Sequence, residues 1–322
     1  MSRSTKIWLI VAAALVASGI IMFGVIMAML KWDFLKLSTA NYESNSYEID
    51  EDFNNISIKT DTADIAFLPS EDGKCKVVCH ENEKEKHEVT VQNDTLAINN
   101  TNNKKWYDHI HIGINFETTK ITVYLPESEY GSLNIKESTG AVEISKIFKF
   151  KSIDIIASTG DIKSSASVSD ILKIKTSTGK INVSGISAGS IDLSVTTGNI
   201  EASDIKCEGD VKIKVSTGRT KLTNVECKNI ISNGDTGDII LNNVISSEKI
   251  SIKRDTGDVS FNGCDAKELC VENDTGDVKG SLLTEKVFIV QTDTGKKDVP
   301  KTTSGGVCEI TTDTGDIIIR IK

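Results

Sequence analysis

The stretch "STGRTKLTNVECKNIISNGDTGD", residues 216–238, begins and ends on the same corner: Ser or Asp, then Thr, then Gly. Gly218 and Gly237 are 19 residues apart, and a Ser/Thr/Asp-Thr-Gly corner occurs ten times in the 322-residue chain. Its glycines are Gly140, Gly160, Gly179, Gly198, Gly218, Gly237, Gly257, Gly276, Gly295 and Gly315, always 19 or 20 residues apart. A period this constant marks a solenoid, and helical repeats are usually longer.

Around each glycine the apolar residues alternate. The second and fourth residues after it are Ile181 and Val183, Ile239 and Leu241, or Val259 and Phe261, and the seventh is Ile147, Ile186 or Val244. Approaching the next glycine come Leu172 and Ile174, Ile191 and Leu193, Val211 and Ile213, Ile250 and Ile252, Phe288 and Val290, with Lys, Asp, Ser, Asn and Glu between. Period-two alternation is the mark of half-buried strands. Each period therefore reads as two short strands joined at the Thr-Gly corner. The fold class expected is all-β, a parallel β-solenoid of 19–20-residue coils stacked in sequence order. Nine intervals of about 4.8 Å make the regular part roughly 43 Å long. One such coil cannot bury its own inward face, so neighbours must stabilise it.

The first thirty residues differ in kind. Residues 7–30, "IWLIVAAALVASGIIMFGVIMAML", carry no charge. At 1.5 Å per residue they give about 36 Å of helix, enough for a hydrocarbon core of roughly 30 Å. Lys31 and Trp32 follow directly, which fits a signal anchor better than a cleaved signal peptide. Arg3, Lys6 and the amino terminus favour a cytoplasmic N-terminus. The expected organisation is a cytoplasmic stub (1–6), a transmembrane anchor (7–30) in contact with the lipid bilayer, and a linker (31–50). Irregular first coils (51–130) follow, with a cap inserted at about 70–120, and then the regular solenoid (131–322). In "NISIKTDTADIAFLP" Ala63 stands where the corner glycine belongs. At the other end the chain stops on "TGDIIIRIK", so the last strand is expected at the open edge.

A net charge of −9 with scattered lysines argues against nucleic acid as a partner. Asp-Thr-Gly is also the triplet of aspartic proteases, but Asp235, Asp255, Asp274, Asp293 and Asp313 stand one coil apart along a ridge. Asp and Gly are in any case the residues a tight corner needs. A stacked carboxylate ladder could hold Ca²⁺ through oxygen ligands. The first five copies nevertheless have Ser138, Ser158, Ser177, Thr196 and Ser216 in that place, so the coil does not require the carboxylate. A Thr rank from Thr139 to Thr314 lies at a corner rather than on the flat face that ice binding needs.

Cys264 and Cys308 fall on inward positions, and Cys75 and Cys79 share a strand face, as core residues would. Cys207 and Cys227 occupy equivalent places in adjacent coils, compatible with a disulfide or with two packed thiols. His109 and His111, with His80, lack diagnostic zinc spacing. Trp106 and Tyr107 are the aromatic cluster outside the core pattern and a candidate contact surface.

The anchor helix, the first coil "FNNISIKTDTADI", "ITVYLP" before "LNIKESTGAVEI", and the recurring "STGDI/DTGDI" resemble the bacterial putative-adhesin family of unknown function with β-strand repeats. The resemblance covers most of residues 51–322 and implies a surface-exposed solenoid linked to adhesion or envelope stress, with no active site to carry over. The expected function is a non-enzymatic, single-pass bacterial cell-membrane protein with its solenoid extracytoplasmic. It would act without cofactor as an adhesion, scaffold or envelope-sensing module, toward another envelope protein or a cell-surface polymer. The alternative is a metal-stabilised (Ca²⁺) or carbohydrate-active envelope factor.

Overall fold

The computed structural model describes residues 2–33, 41–83, 85–101 and 117–322. Trp106, Tyr107, His109 and His111 lie outside the described residues. Near the N-terminus is a helix, Arg3–Met29, capped by Ser2, whose side chain accepts from the Thr5 N–H at 3.2 Å. Its mean hydropathy of 2.7 over an 18-residue window makes it a candidate membrane span by length and composition.

The rest is a parallel β-solenoid. In the strand Ile181–Thr197 the side chains of Ile181, Val183, Ile186, Ala188, Ile191, Leu193 and Val195 are buried. The same inward positions recur one coil on, with Ile181 paired to Ile200, Ile186 to Ile205, Ile191 to Val211 and Leu193 to Ile213. In-register parallel pairing thus stacks like on like, and one continuous apolar core runs through the whole stack.

The Thr-Gly corners form one column. The Gly198 N–H donates to the Thr217 carbonyl at 2.9 Å, and the Gly218 N–H to the Thr236 carbonyl at 2.8 Å. Glycine is required here on two counts. Gly218 has φ +141°, and a Cβ on it would lie 1.8 Å from the Gly198 carbonyl oxygen.

Five consecutive coils also bend at a second corner, which the two-strand reading lacked. Six residues after the corner glycine, Gly185, Asp204, Asn224, Asn243 and Gly263 all have φ between 52° and 67°. Gly, Asn and Asp are the residues that tolerate this left-handed conformation. Their side chains then form a ladder, Asn224 Nδ2 donating to Asp204 Oδ1 (2.7 Å) and Asn243 Nδ2 to Asn224 Oδ1 (3.0 Å).

Both ends depart from sequence order. At the N-terminal end, strands Asn55–Thr62 and Asp64–Pro69 form the second coil of the stack. They are flanked by Glu129–Thr139 with Val142–Ile144 on one side and Thr95–Asn100 with Lys120–Leu125 on the other. Antiparallel strands close this end: Cys75–Asn82 on Lys120–Leu125, Tyr42–Ile49 on Cys75–Asn82, and His87–Gln92 on Thr95–Asn100. Residues 42–49, expected within a linker, are therefore an edge strand of the cap.

At the C-terminal end the final coil is not the outermost. The Gly276 N–H donates to the Thr314 carbonyl, and the Gly315 N–H to the Thr294 carbonyl, so the corners stack in the order 276, 315, 295. The strand Gly306–Thr314 lies between Glu268–Thr275 and Lys286–Thr294. Gly305 and Gly306 make the insertion possible: a Cβ on either would sit 1.9 Å from a backbone oxygen, of Glu285 and Lys267 respectively. The expectation that "TGDIIIRIK" ends at the open edge is corrected in part: Lys286–Thr294 is the outer strand, and of Ile317–Ile321 the first two residues pair on both sides while the last three pair only with residues 280–282.

Candidate functional site

Candidate chemistry falls in four places: the ridge of corner aspartates, a polar column just inside it, a buried network under the N-terminal cap, and a groove floored by two cysteines. On the ridge, Asp235, Asp255, Asp274, Asp293 and Asp313 all point outward and are exposed. The rank after the glycine has a structural task. Asp238 Oδ1 accepts from the Asp258 N–H, Asp258 Oδ1 from the Asp277 N–H, and Asp277 Oδ1 from the Asp316 N–H, at 3.2, 2.9 and 2.7 Å. Asp161 and Asn199 do the same for Lys180 and Arg219. These carbonyl-type oxygens tie each coil to the next, which explains why Asp or Asn recurs after the glycine.

Three residues before the corner, the inward position is polar in several coils. Its side chains donate to carbonyls at the turn: Asn273 Nδ2 to Gly257 O and Gly276 O (3.1 and 3.0 Å), Thr292 Oγ1 to Gly315 O (3.0 Å) and Thr312 Oγ1 to Gly276 O (3.3 Å). Arg254 is only 1% exposed, and its Nη1 donates to Val215 O at 3.0 Å across Gly234. A Cβ on Gly234 would lie 2.3 Å from that nitrogen, so the glycine makes room for the guanidinium. Burial pulls the Arg254 pKa below its ordinary value, against the nearby Asp235, Asp255 and Asp238. Glu137 is the exception in this column. It is buried, neither carboxylate oxygen has a hydrogen-bond partner among the described residues, and burial, helped by Asp64, pushes its pKa up to about 8.

Glu137 pairs in register with Thr60, and both line a cleft of about 370 Å³ with Asp61, Asn99, Asn100 and Lys136. Behind Thr60 lies a buried network. Thr60 Oγ1 is 2.9 Å from His87 Nε2, and His87 Nδ1 is 2.7 Å from Glu81 Oε2. Glu81 Oε2 also accepts from the His87 backbone N–H (2.7 Å), and Oε1 from Asn45 Nδ2 (2.9 Å). Cys79 completes the group: its sulfur, a Glu81 oxygen and a His87 ring nitrogen all lie within 4.8 Å of one another. Of the histidines weighed from spacing, only His80 lies among the described residues, and it is not part of this group. His80 sits on the surface, bonded to Ser44 and Glu117 and stacked on Tyr42. The usable signal was the alternation Cys79-x-Glu81, which puts a carboxylate on an inward face and so demands a partner.

Cys207 and Cys227 stack beside a groove of about 600 Å³ lined also by Ala188, Glu208, Glu226 and Lys228. Both are free thiols, as are the other five cysteines, and six of the seven are buried, including Cys264 and Cys308. Burial pushes Cys75, Cys79, Cys227 and Cys308 up to about 12. Reactivity needs an accessible thiolate. A colorimetric thiol titration of the native chain is therefore expected to find about one reactive group, Cys270, and all seven after denaturation.

The family model described as Toastrack DUF4097 matches residues 53–214 and again 204–322. The chain belongs to the Toastrack DUF4097 family. The two Toastrack matches meet inside the stack, where Ile200–Cys207 and Asp210–Thr217 are each paired on both sides, so they share one core. Among solved structures, the chain is similar to a putative adhesin from Parabacteroides merdae ATCC 43184 (13% identity, TM-score 0.50, covering 77% of this chain and 98% of that one). It is also similar to a putative lipid binding protein from Parabacteroides distasonis ATCC 8503 (16%, TM-score 0.47, covering 76% and 95%). A putative adhesin from Bacteroides fragilis NCTC 9343 matches at 16% identity and TM-score 0.45, covering 74% and 97%. At these identities the likeness is one of fold. No curated protein sequence is similar to the chain at a significant level.

Proposed function

We propose that this Toastrack protein is a single-pass bacterial envelope protein, held by residues 7–30, whose extracytoplasmic solenoid works by contact rather than by catalysis. The observation that carries the reading is the character of the outward surface. Ion pairs link successive coils, such as Lys163 with Glu143, Lys180 with Glu201, Lys249 with Glu268 and Lys253 with Glu272, all substantially exposed. Exposed pairs of this kind add at most about 1 kcal/mol each. They keep a long, rigid, polar surface soluble while the core holds its shape, which suits a module that presents itself to another envelope protein or a cell-surface polymer. The solved relatives described as adhesins support the same reading.

The reading is tested on intact cells. In a Cys270→Ser background, Asp274→Cys is expected to react with a membrane-impermeant maleimide without lysis, and the labelled chain to stay with the membranes after a high-salt wash. Labelling only after permeabilisation, or recovery of the chain in the medium, would remove the proposal.

A further inference from the structure

We infer that Cys79, Glu81 and His87 form a binding site for a borderline divalent metal ion, zinc by donor type, under the N-terminal cap. Three observations converge on it. The donors come from two adjoining strands: Cys79 and Glu81 share the inward face of Cys75–Asn82, and His87 opens His87–Gln92. All three residues are buried, and their ligand atoms lie within 4.8 Å of one another. Ligands around a tetrahedral zinc at 2.0–2.3 Å stand roughly 3.3–3.8 Å apart, so modest side-chain shifts close the set. The 2.7 Å contact between His87 Nδ1 and Glu81 Oε2 opens as the ion enters between them.

The outer partners are also in place. His87 Nε2 faces Thr60 Oγ1 at 2.9 Å, and Glu81 Oε1 is held by Asn45 Nδ2 at 2.9 Å. Such outer contacts fix the ring and the carboxylate of a metal ligand. The thiol decides between a metal site and a self-contained polar network. Glu81 and His87 satisfy each other; of the thiols that make no hydrogen bond among the described residues, Cys75, Cys79, Cys227, Cys270 and Cys308, it is Cys79 whose sulfur lies within 4.8 Å of both a carboxylate oxygen and an imidazole nitrogen. An apolar residue would fill that place at no cost in desolvation; a sulfur aimed at a carboxylate and an imidazole is what a metal uses. Sulfur and nitrogen donors favour zinc over Ca²⁺. No described side chain fills the fourth position. The bound ion would tie the strand Cys75–Asn82 to the strand His87–Gln92.

The test uses the full chain in detergent micelles, stripped with chelator under reducing conditions and titrated with Co²⁺. One equivalent is expected to give visible d–d bands and a near-ultraviolet thiolate-to-cobalt band, and Zn²⁺ to bleach both. Cys79→Ser should abolish the charge-transfer band and weaken Co²⁺ binding at least 100-fold, while Cys207→Ser leaves both unchanged. Absence of the band at one equivalent, or its survival in Cys79→Ser, overturns the site. Zinc K-edge absorption on the wild-type chain needs no variant. One sulfur among the scatterers supports the assignment, and a shell of nitrogen and oxygen alone contradicts it.

Discussion

Gly218→Ala is expected to destabilise the solenoid by about 4 kcal/mol or more. The added carbon meets the Gly198 carbonyl oxygen at 1.8 Å and its carbon at 2.7 Å, in backbone that no flexible side chain can vacate. Holding a non-glycine residue at φ +141° adds roughly 1–3 kcal/mol of strain. Because each coil is stabilised by its neighbours, the damage divides the stack rather than staying local. In a folded region of this size about 4 kcal/mol corresponds to a fall in Tm on the order of 10 °C. Gly185→Asn is the matched control. Gly185 also has positive φ (+67°), but nothing lies within 4 Å of a Cβ there, and Asn224 and Asn243 occupy the same corner at 53° and 52°. Its melting temperature, followed by circular dichroism, should stay within about 3 °C of wild type. Equal losses in the two variants would contradict the close-approach account.

The second large effect concerns Glu137. In the unfolded chain its carboxyl titrates near the ordinary value of 4.5, whereas in the folded chain it titrates near 8. Between those values the folded state keeps a proton that the unfolded state has released. Glu137 therefore contributes no stability change below about pH 4.5, an increasing penalty as pH rises to 8, and a constant penalty above it. The full penalty is on the order of 3–5 kcal/mol. Glu137→Gln removes the charge and offers the amide donor that Asn273 uses in the same column. The variant is expected to melt about 10 °C above wild type at pH 9 and close to it at pH 4.5. Asp277 and Asp298, held below their ordinary pKa by Lys279 and Arg320, lose their stabilising contribution only in more acid solution. A wild-type stability curve flat from pH 5 to 8 would show that Glu137 is ionised in the folded chain.

The coil itself was legible because the corner imposes two severe demands, positive φ and no side chain, and only glycine meets both at Gly140 through Gly315. The inward ladders followed from alternation. The second corner was present in the sequence as Gly185, Asp204, Asn224, Asn243 and Gly263, but a small polar residue in an already polar ridge carries little contrast. The order of the last coils was not legible from the period. Repeats specify the shape of a coil and its register against any neighbour, so Gly276 stacks as well on Gly315 as it would on Gly295. Only Gly305 and Gly306 betray the insertion, through crowding that a periodic pattern does not reveal. Glu137, Glu81 and His87 were missed because each sits at a place where alternation expects an apolar residue; the outer partners of the last two, Asn45 and Thr60, are 36 and 27 residues away, and Glu137 has no hydrogen-bond partner among the described residues to betray it.

Cross-linking across the C-terminal coils tests the winding most directly. Cysteines are placed at Thr275 and Thr314 in one variant, and at Thr275 and Thr294 in another. In the stack described, the first pair lies one coil apart, about 4.8 Å, within reach of a disulfide, and the second two coils apart, about 9.6 Å. Mild oxidation should close the 275–314 bridge and leave 275–294 open. Closure of 275–294 with 275–314 open would mean that the chain winds in sequence order, and failure of both would mean that these corners do not form a column.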